Sequence, residues 1–145
     1  MLRIKEEILQ QLRQSFSSSH VETGFILGTD SCLEQLEYCY QIPAVQAGIH
    51  YYSPDIVIAN KKIKEWTEVG ICFCGFIHSH VVKKVDFSNG DIEFAKKLMN
   101  SYRLPVLWFG LGVVNDDCEV DIYFCSVTQQ NNFEIDIKPI SIITI

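Results

Sequence analysis

The stretch "GICFCGFIHSH", residues 70–80, is a near-continuous apolar run that ends in two histidines. A run of this kind predicts a central β-strand that is buried on both faces. Side chains two residues apart in a strand point to the same face, so we expect His78 and His80 to present their imidazoles side by side. The elements before and after this strand must therefore cover both of its faces.

Three helices are predicted around this strand. The first spans residues 1–16, because apolar side chains recur there at every fourth position. These side chains are Ile4, Ile8, Leu12 and Phe16. The second is expected to have Ser53 as its N-cap and Pro54 at its first helical position. The third covers "SNGDIEFAKKLMNSY", residues 88–102.

Short apolar or alternating runs predict the other strands. They cover residues 22–28, 32–43, 105–114, 119–127 and 133–145. The element order is then α-β-β-α-β-α-β-β-β. A chain of 145 residues without repeats or linkers is expected to form one domain, residues 1–145.

Composition argues against several classes of protein. The net charge is -6, and no dense Lys/Arg face is visible, so we do not expect nucleic-acid binding. No apolar run approaches the length of a membrane span, so no membrane partner is expected. Glu6 and Glu7 stand where a signal peptide would need an unbroken apolar segment. The six cysteines form no C-x-x-C pair, which favours reduced, mostly buried thiols in a cytoplasmic protein.

Asp91 falls in the first turn of the third predicted helix. If the loop of residues 81–87 folds this turn back over the strand end, its carboxylate can meet the two imidazoles. Two histidines and one carboxylate with an open position are the ligand set of a catalytic zinc site. An iron facial triad uses the same residue types, so the ligands alone do not identify the metal.

The same residues allow two other interpretations. Ser88 and Asp91 match the S-x-x-D pattern of a helix N-terminus. Capping does not explain why two histidines share one face at the end of the apolar strand. The two roles of Ser88 are also compatible, because a hydroxyl can accept one bond from the helix and donate another elsewhere. Cys72 and Cys74 share the strand parity of the histidines and could suggest a closed site. In an extended strand Cys74 and His78 would be about 13 Å apart, so we expect both cysteines in the core.

A zinc hydrolase also needs a carboxylate outside the ligand set to accept a proton from water. Glu22 is the best candidate because it stands directly before the apolar strand "TGFILG". Taken alone, it would be interpreted as an exposed glutamate at a strand start. His20 and His50 have no visible partner in the sequence and are left without a role.

The glutamate of "ETGFILG", followed by H-x-H-x7-S-x-x-D, resembles the motif of the JAMM (MPN-type) metalloproteases. Every chemically required position is present. These positions are Glu22, His78, His80, Ser88 and Asp91. The resemblance covers residues 22–127, and Val81 stands where many members have proline.

The resemblance implies an α/β fold, a three-layer α-β-α sandwich with a mixed central sheet, similar to cytidine deaminase. It implies that His78, His80 and Asp91 bind one zinc ion, with water as the fourth ligand. Glu22 would accept the proton of this water and pass it to the leaving amine. Ser88 would stabilise the oxyanion of the tetrahedral intermediate.

The known catalytic members of this family cut amide or isopeptide bonds after the tail of ubiquitin-like or sulfur-carrier proteins. The resemblance therefore implies a zinc peptidase or isopeptidase that cuts after the terminal glycine of such a tail. The loop of residues 81–87 lies between the ligands in the sequence, so we expect it to form part of the channel wall. Deconjugation from lysine and release of a small amino acid both stay open. The chain has no room for the insertions of eukaryotic deubiquitinases, so it resembles compact prokaryotic members. The alternative is a non-catalytic MPN scaffold, although scaffold members typically lose ligands that this chain keeps.

Overall fold

A computed structural model describes residues 1–30, 33–48, 52–80, 87–131 and 134–145 of the chain. Its helices are α1 (Glu6–Ser18), α2 (Ile56–Glu68) and α3 (Asn89–Tyr102). Its first strands are β1 (Leu2–Ile4), β2 (Gly24–Thr29), β3 (Gln35–Leu36), β4 (Tyr38–Ile42), β5 (Ala44–Ala47) and β6 (Tyr52–Pro54). The later strands are β7 (Cys72–His80), β8 (Val106–Val114), β9 (Val120–Gln129), β10 (Ile135–Ile140) and β11 (Ile142–Thr144).

A six-stranded mixed sheet forms the centre of the fold. Its strand order is β10-β9-β8-β7-β2-β4. The neighbours β7 and β8 run parallel, and the remaining pairs in this sheet are antiparallel. β7 is buried along almost its whole length, as the apolar run predicts. β1, β3 and β11 form a small parallel sheet, and β5 pairs with β6.

Helices cover both faces of the six-stranded sheet. Ile77 of β7 belongs to the core that includes Leu12 and Phe16 of α1. Its neighbour Phe76 belongs to the core that includes Ile63 of α2 and Leu98 of α3. Because adjacent strand residues point to opposite faces, the sheet lies between α1 on one side and α2 with α3 on the other. An α/β fold with a mixed sheet is therefore confirmed.

The first predicted helix begins later than expected. Leu2–Ile4 is a strand, and α1 begins at Glu6. Leu2 pairs with Ile142, so the short strand gains main-chain bonds from a segment at the other end of the chain. Ile4 is buried as the pattern predicts, but in β1 rather than on α1. A long-range pairing of this kind is not visible in local periodicity.

The predicted start of α2 was wrong. Ser53 and Pro54 belong to β6, and Asp55 is the N-cap. The Asp55 carboxylate accepts hydrogen bonds from the amides of Val57 at 3.1 Å and Ile58 at 3.3 Å. Proline is tolerated in a short strand at an edge, and Ser53 before it is biased toward extended backbone. The helix therefore begins after Asp55, which caps it in place of the expected serine.

Two predicted strands are divided. Residues 32–43 contain β3 and β4, and residues 133–145 contain β10 and β11. Within these ranges Cys32 and Phe133 lie outside the described residues. β10 joins the six-stranded sheet, whereas β11 crosses to β1 in the small sheet. The pairing of β5 with β6 was not predicted.

A β-bulge in β7 separates Cys74 from the histidines. Leu27 pairs with Gly75 and Gly28 pairs with Phe73, so Cys74 is the extra residue of the bulge. Cys74 packs in the α1 core, on the face opposite to His78. Cys74 therefore does not share a face of the strand with the histidines. This is a second reason, besides distance, to exclude it from a closed zinc site. Burial raises the pKa of its thiol to about 12.

The described cysteines are free, but not all are buried. Cys74 is buried as expected, whereas Cys72 and Cys118 are exposed, so the prediction of core positions was wrong for Cys72. Cys118 lies in the turn between β8 and β9 with a positive φ of 61°. Among the described residues, none of the helices combines the length and the apolar character needed to cross a bilayer.

Candidate metal centre

The two histidines converge at the end of β7. Pairing places His78 between Gly24 of β2 and Leu111 of β8. Both imidazoles are buried, with exposed fractions of 4% for His78 and 7% for His80. Their Nε2 atoms are 3.2 Å apart. The predicted side-by-side arrangement on one face is therefore observed.

Asp91 comes to the same point from the first turn of α3. Its Oδ1 is 3.1 Å from Nε2 of His78, and its Oδ2 is 3.7 Å from Nε2 of His80. Burial raises the pKa of the Asp91 carboxyl, but bonds to the two imidazoles and to the Ser88 amide outweigh this effect. The pKa therefore lies well below its ordinary value, and the carboxylate is ionised.

Ser88 and Asp91 form a reciprocal capping box. The Ser88 amide donates to Oδ2 of Asp91 at 2.8 Å, and the Asp91 amide donates to Oγ of Ser88 at 3.1 Å. The cap and the metal-ligand interpretation are thus compatible, because the bond from Ser88 orients the carboxylate that faces the histidines. Capping of α3 is one cause of the geometry of the site.

Glu22 completes the cluster from the segment directly before β2. The pairing of Gly24 with His78, continued by two residues, puts Glu22 opposite His80. Its Oε1 is 3.8 Å from Nε2 of His80, and only 5% of Glu22 is exposed. The Glu22 amide donates to the carbonyl of Gly48 at 2.8 Å. A solvent-exposed glutamate at a strand start is therefore the wrong interpretation.

This group could hold a metal ion. Glu22, His78 and His80 each offer a ligand atom, and these atoms lie within 4.8 Å of one another. Ligands around a tetrahedral zinc ion are about 3.3 Å apart, given bond lengths near 2.0–2.1 Å. The distances of 3.2 Å between the histidines and 3.1 Å from His78 to Asp91 match this spacing. The donor set suits more than one metal, so its identity is not shown.

Aromatic rings hold His78 in place. Its ring centroid is 6.1 Å from that of Phe76, 6.0 Å from that of Phe109 and 6.5 Å from that of Phe87. Nδ1 of His78 is buried and meets no hydrogen-bond partner within the described residues. Packing therefore holds this imidazole on the Nδ1 side, while Nε2 contacts Asp91 and His80. The apolar wall also lowers the local dielectric constant and strengthens electrostatic interactions at the site.

An open groove leads away from the cluster between α2 and α3. Its volume is about 1510 Å³, and Glu22, His78, His80, Ser88 and Asp91 all line it. Apolar side chains cover much of its surface. Among them are Ile26, Ile63, Phe76, Phe94 and Leu98. Its rim carries charges of both signs, from Lys64, Glu68, Glu93 and Lys97. Tyr102 of α3 donates a hydrogen bond to Asn60 of α2 and links the two helices.

The remaining predictions for this region have separate outcomes. His20 is exposed, and His50 lies outside the described residues. Of the loop 81–87, only Phe87 is described, so the predicted channel wall and Val81 lie outside the described residues. Sequence reasoning missed the groove and Ser79, although the position of Ser79 between two candidate ligands could have drawn attention to it.

Comparisons with known proteins support the fold alone. No protein family model matches the chain, and no curated protein matches it. A protein of Desulfitobacterium hafniense with a solution structure is similar, with 16% sequence identity and a TM-score of 0.71 over 99% of this chain and 92% of that chain. A Salinibacter ruber protein, also solved in solution, has 17% identity and a TM-score of 0.61 over 99% of this chain and 91% of that chain. These likenesses cover nearly the whole length, and at this level of identity they concern architecture only.

Proposed function

We propose that this protein is a zinc-dependent peptidase or isopeptidase of the JAMM type, with the cytidine-deaminase-like architecture of that family. The observation that carries the proposal is the convergence of Asp91 on both Nε2 atoms, at 3.1 Å and 3.7 Å, with Glu22 opposite His80. These residues come from three separate elements. Capping and strand pairing each explain one contact, but neither explains why all four side chains meet at one point.

The metal would be held by His78, His80 and Asp91. When bound, zinc polarises a carbonyl and lowers the pKa of water, which supplies a nucleophile at neutral pH. The ionised state of Asp91 suits a cation at this position. The donor set also fits iron, so a metal analysis is part of the test below.

Glu22 is the proposed general base and acid. Buried at the groove wall and opposite His80, its carboxylate can accept a proton from the attacking water. It can then give this proton to the nitrogen of the leaving amine. No other glutamate shares these contacts in the described part of the chain.

Ser88 is the proposed oxyanion donor. Its oxygen accepts a bond from the Asp91 amide, which leaves the hydroxyl proton for a second partner. Ser88 lines the groove beside Asp91, so a carbonyl oxygen of a bound substrate would come within reach. A donor aimed at a developing oxyanion stabilises the transition state more than the ground state.

The proposed substrate is the tail of a ubiquitin-like or sulfur-carrier protein, cut after its terminal glycine. The groove between α2 and α3 is open, and its volume of about 1510 Å³ would accommodate an extended chain. Glycines at the cut would fit beside the buried cluster, where aromatic side chains leave little room. We also propose a cytoplasmic location, which suits the five free thiols of the described cysteines.

One observation favours a second function, a non-catalytic scaffold. Glu22 itself lies within metal-ligand range of the histidines. If Glu22 bound the ion together with His78, His80 and Asp91, the site would have four protein ligands. Such closed sites are structural rather than catalytic.

The test compares a ubiquitin-like fusion from the same genome with its isolated tail peptide, with and without a zinc chelator. We expect cleavage of the folded fusion directly after glycine, loss of activity with the chelator and recovery with added zinc. Metal analysis of the purified protein identifies the ion. Equal cleavage of both substrates, or cleavage that ignores the chelator, contradicts the proposal. Metal loss in Glu22→Ala, together with an inactive wild type, supports the scaffold.

A further inference from the structure

Ser79 lies between the two histidines and has no part in the proposed chemistry. It is completely buried, and alternation along β7 points its side chain to the face opposite to His78 and His80. The metal cluster is therefore on one face of the strand and the Ser79 hydroxyl is on the other. A buried hydroxyl requires partners, and those of Ser79 lie just before the start of β2.

Those partners are the main-chain groups of Thr23. The Thr23 amide donates to Oγ of Ser79 at 3.0 Å, and Oγ of Ser79 donates to the Thr23 carbonyl at 3.4 Å. The Ser79 amide also donates to the same carbonyl at 2.9 Å. In an ordinary antiparallel pair, each residue would donate its amide to the carbonyl of the other. Here the serine side chain takes the place of one carbonyl.

The Ser79 hydroxyl replaces a main-chain carbonyl at the point where β2 begins. β2 is assigned from Gly24, so Thr23 and Glu22 precede the regular ladder. Glu22 is nevertheless buried opposite His80, and its own amide is bound to the carbonyl of Gly48. The main chain around Glu22 is therefore fixed by two bonds, one from the Glu22 amide to Gly48 and one from the Thr23 amide to Ser79.

A third contact holds Thr23 from the other neighbour of β2. Nε2 of Gln41 on β4 donates to Oγ1 of Thr23 at 2.9 Å. This contact restrains the Thr23 side chain, whereas the Ser79 contact restrains its amide. The Thr23 amide belongs to the peptide group that links Thr23 to Glu22, so its hydrogen bond restrains the course of the chain between these two residues. The Ser79 hydroxyl thus restrains the peptide group that joins Thr23 to Glu22, whose carboxylate faces His80.

We propose that Ser79 is a positioning residue that keeps Glu22 opposite His80 through the main chain of Thr23. This inference rests on the proposed function, in which Glu22 transfers protons. Ser79 touches neither the cluster nor a substrate, and its effect on the reaction passes through Glu22. An alanine at this position keeps the strand but removes the acceptor of the Thr23 amide.

The variants for the test are Ser79→Ala, Ser79→Thr and Thr29→Val. Ser79→Thr retains the hydroxyl and is the conservative variant. Thr29→Val is the matched control, because Thr29 is buried at the other end of β2 and donates to Glu37 at 2.7 Å. Both Ser79→Ala and Thr29→Val remove one buried hydroxyl, but only the first removes a partner of Thr23.

Amide hydrogen exchange, measured by NMR on the metal-free protein, tests the contact itself. We expect the amide of Thr23 to exchange at least about tenfold faster in Ser79→Ala than in the wild type. In Ser79→Thr and Thr29→Val it should keep its protection. Unchanged protection of Thr23 in Ser79→Ala overturns the inference. This measurement needs no substrate, so its result is separate from the fate of the proposed function.

Kinetics on the metal-loaded enzyme test the link to Glu22. We expect Ser79→Ala to keep its metal and its KM while kcat falls on the order of 10²-fold, the effect of a misplaced catalytic group. Ser79→Thr should recover most of this loss, and Thr29→Val should show none. In the Glu22→Gln background, Ser79→Ala should lower kcat no further, because the residue through which it acts has lost its function. Additive losses, or an equal fall in Thr29→Val, would show a general structural effect and overturn the inference.

Discussion

Glu22 lies opposite His80 across the ladder between β2 and β7, with Oε1 of the glutamate 3.8 Å from Nε2 of the histidine. The register of β2 against β7, continued two residues beyond Gly24, brings these two residues together. Because side chains in a strand alternate between faces, a slip of one residue would move Glu22 to the other side of the sheet. The contact is thus a direct consequence of how β2 pairs with β7.

Metal content tests the ligand assignment. We expect close to one zinc ion per chain in the wild type, measured by elemental analysis. His78→Ala, His80→Ala and Asp91→Ala should each lose most of it, because each removes one of three protein ligands. His20→Ala is the control, since His20 is exposed and should not affect metal content. Full occupancy in the double variant of His78 and His80 would contradict the assignment.

Glu22→Gln separates binding from chemistry. We expect this variant to keep its metal and its fold but to lose nearly all hydrolysis, because an amide cannot accept the proton. Metal content and turnover of a cleavable fusion are measured on the same sample. Glu93→Gln, on the rim of the same groove, is the matched control and should stay active. Wild-type turnover by Glu22→Gln would exclude Glu22 as the base.

Ser88→Ala should affect both stability and rate. Loss of the cap is expected to lower the free energy of unfolding by about 1 kcal/mol. Loss of an oxyanion donor is expected to lower kcat by about 10²–10³-fold. Asp55→Ala removes the cap of α2 and should lower stability by a similar amount without the fall in kcat. Denaturation and kinetics on both variants measure the two effects; equal kcat in Ser88→Ala and the wild type would remove Ser88 from the mechanism.

Glycines in tight places should not tolerate a methyl group. A Cβ at Gly112 would collide with the ring of Phe16, which packs from α1 onto the sheet. We expect Gly112→Ala to lower the free energy of unfolding by about 1–3 kcal/mol, the range of overpacking in a core. At Gly90 in α3 the nearest atom to such a Cβ is 3.7 Å away, so Gly90→Ala should be neutral or stabilising. A thermal melt of each variant measures the difference, and equal melting temperatures would contradict the packing of α1.

Thiol labelling tests the burial of Cys74. Cys72 and Cys118 are exposed, and we expect both to react rapidly with a maleimide in the folded protein at neutral pH. Cys74 should not react until the protein unfolds, because burial raises the pKa of its thiol to about 12. Mass spectrometry of peptides after a short reaction measures each site. Rapid labelling of Cys74 would place it outside the α1 core.

Local pattern in the sequence was enough to predict the principal elements. The strand β7 could be predicted without knowledge of its neighbours, because a strand that is buried on both faces has a nearly continuous apolar sequence. The start of α3 was equally clear, since the Ser88 hydroxyl and the Asp91 carboxylate satisfy amides within the same turn. The same-face arrangement of His78 and His80 follows from strand geometry and was confirmed.

Only the tertiary structure decided which distant groups meet. β1 exists because Leu2 pairs with Ile142, and a helical period was the stronger local signal there. The bulge at Cys74 depends on the register with β2, so it reversed a face that alternation alone had assigned. Glu22 is buried because β2 lies beside β7, and Asp91 reaches the histidines because α3 packs back over the strand end. The physical reason is that short-range periodicity specifies which face of its element a side chain occupies. Pairing and packing between distant segments specify which residues that side chain contacts.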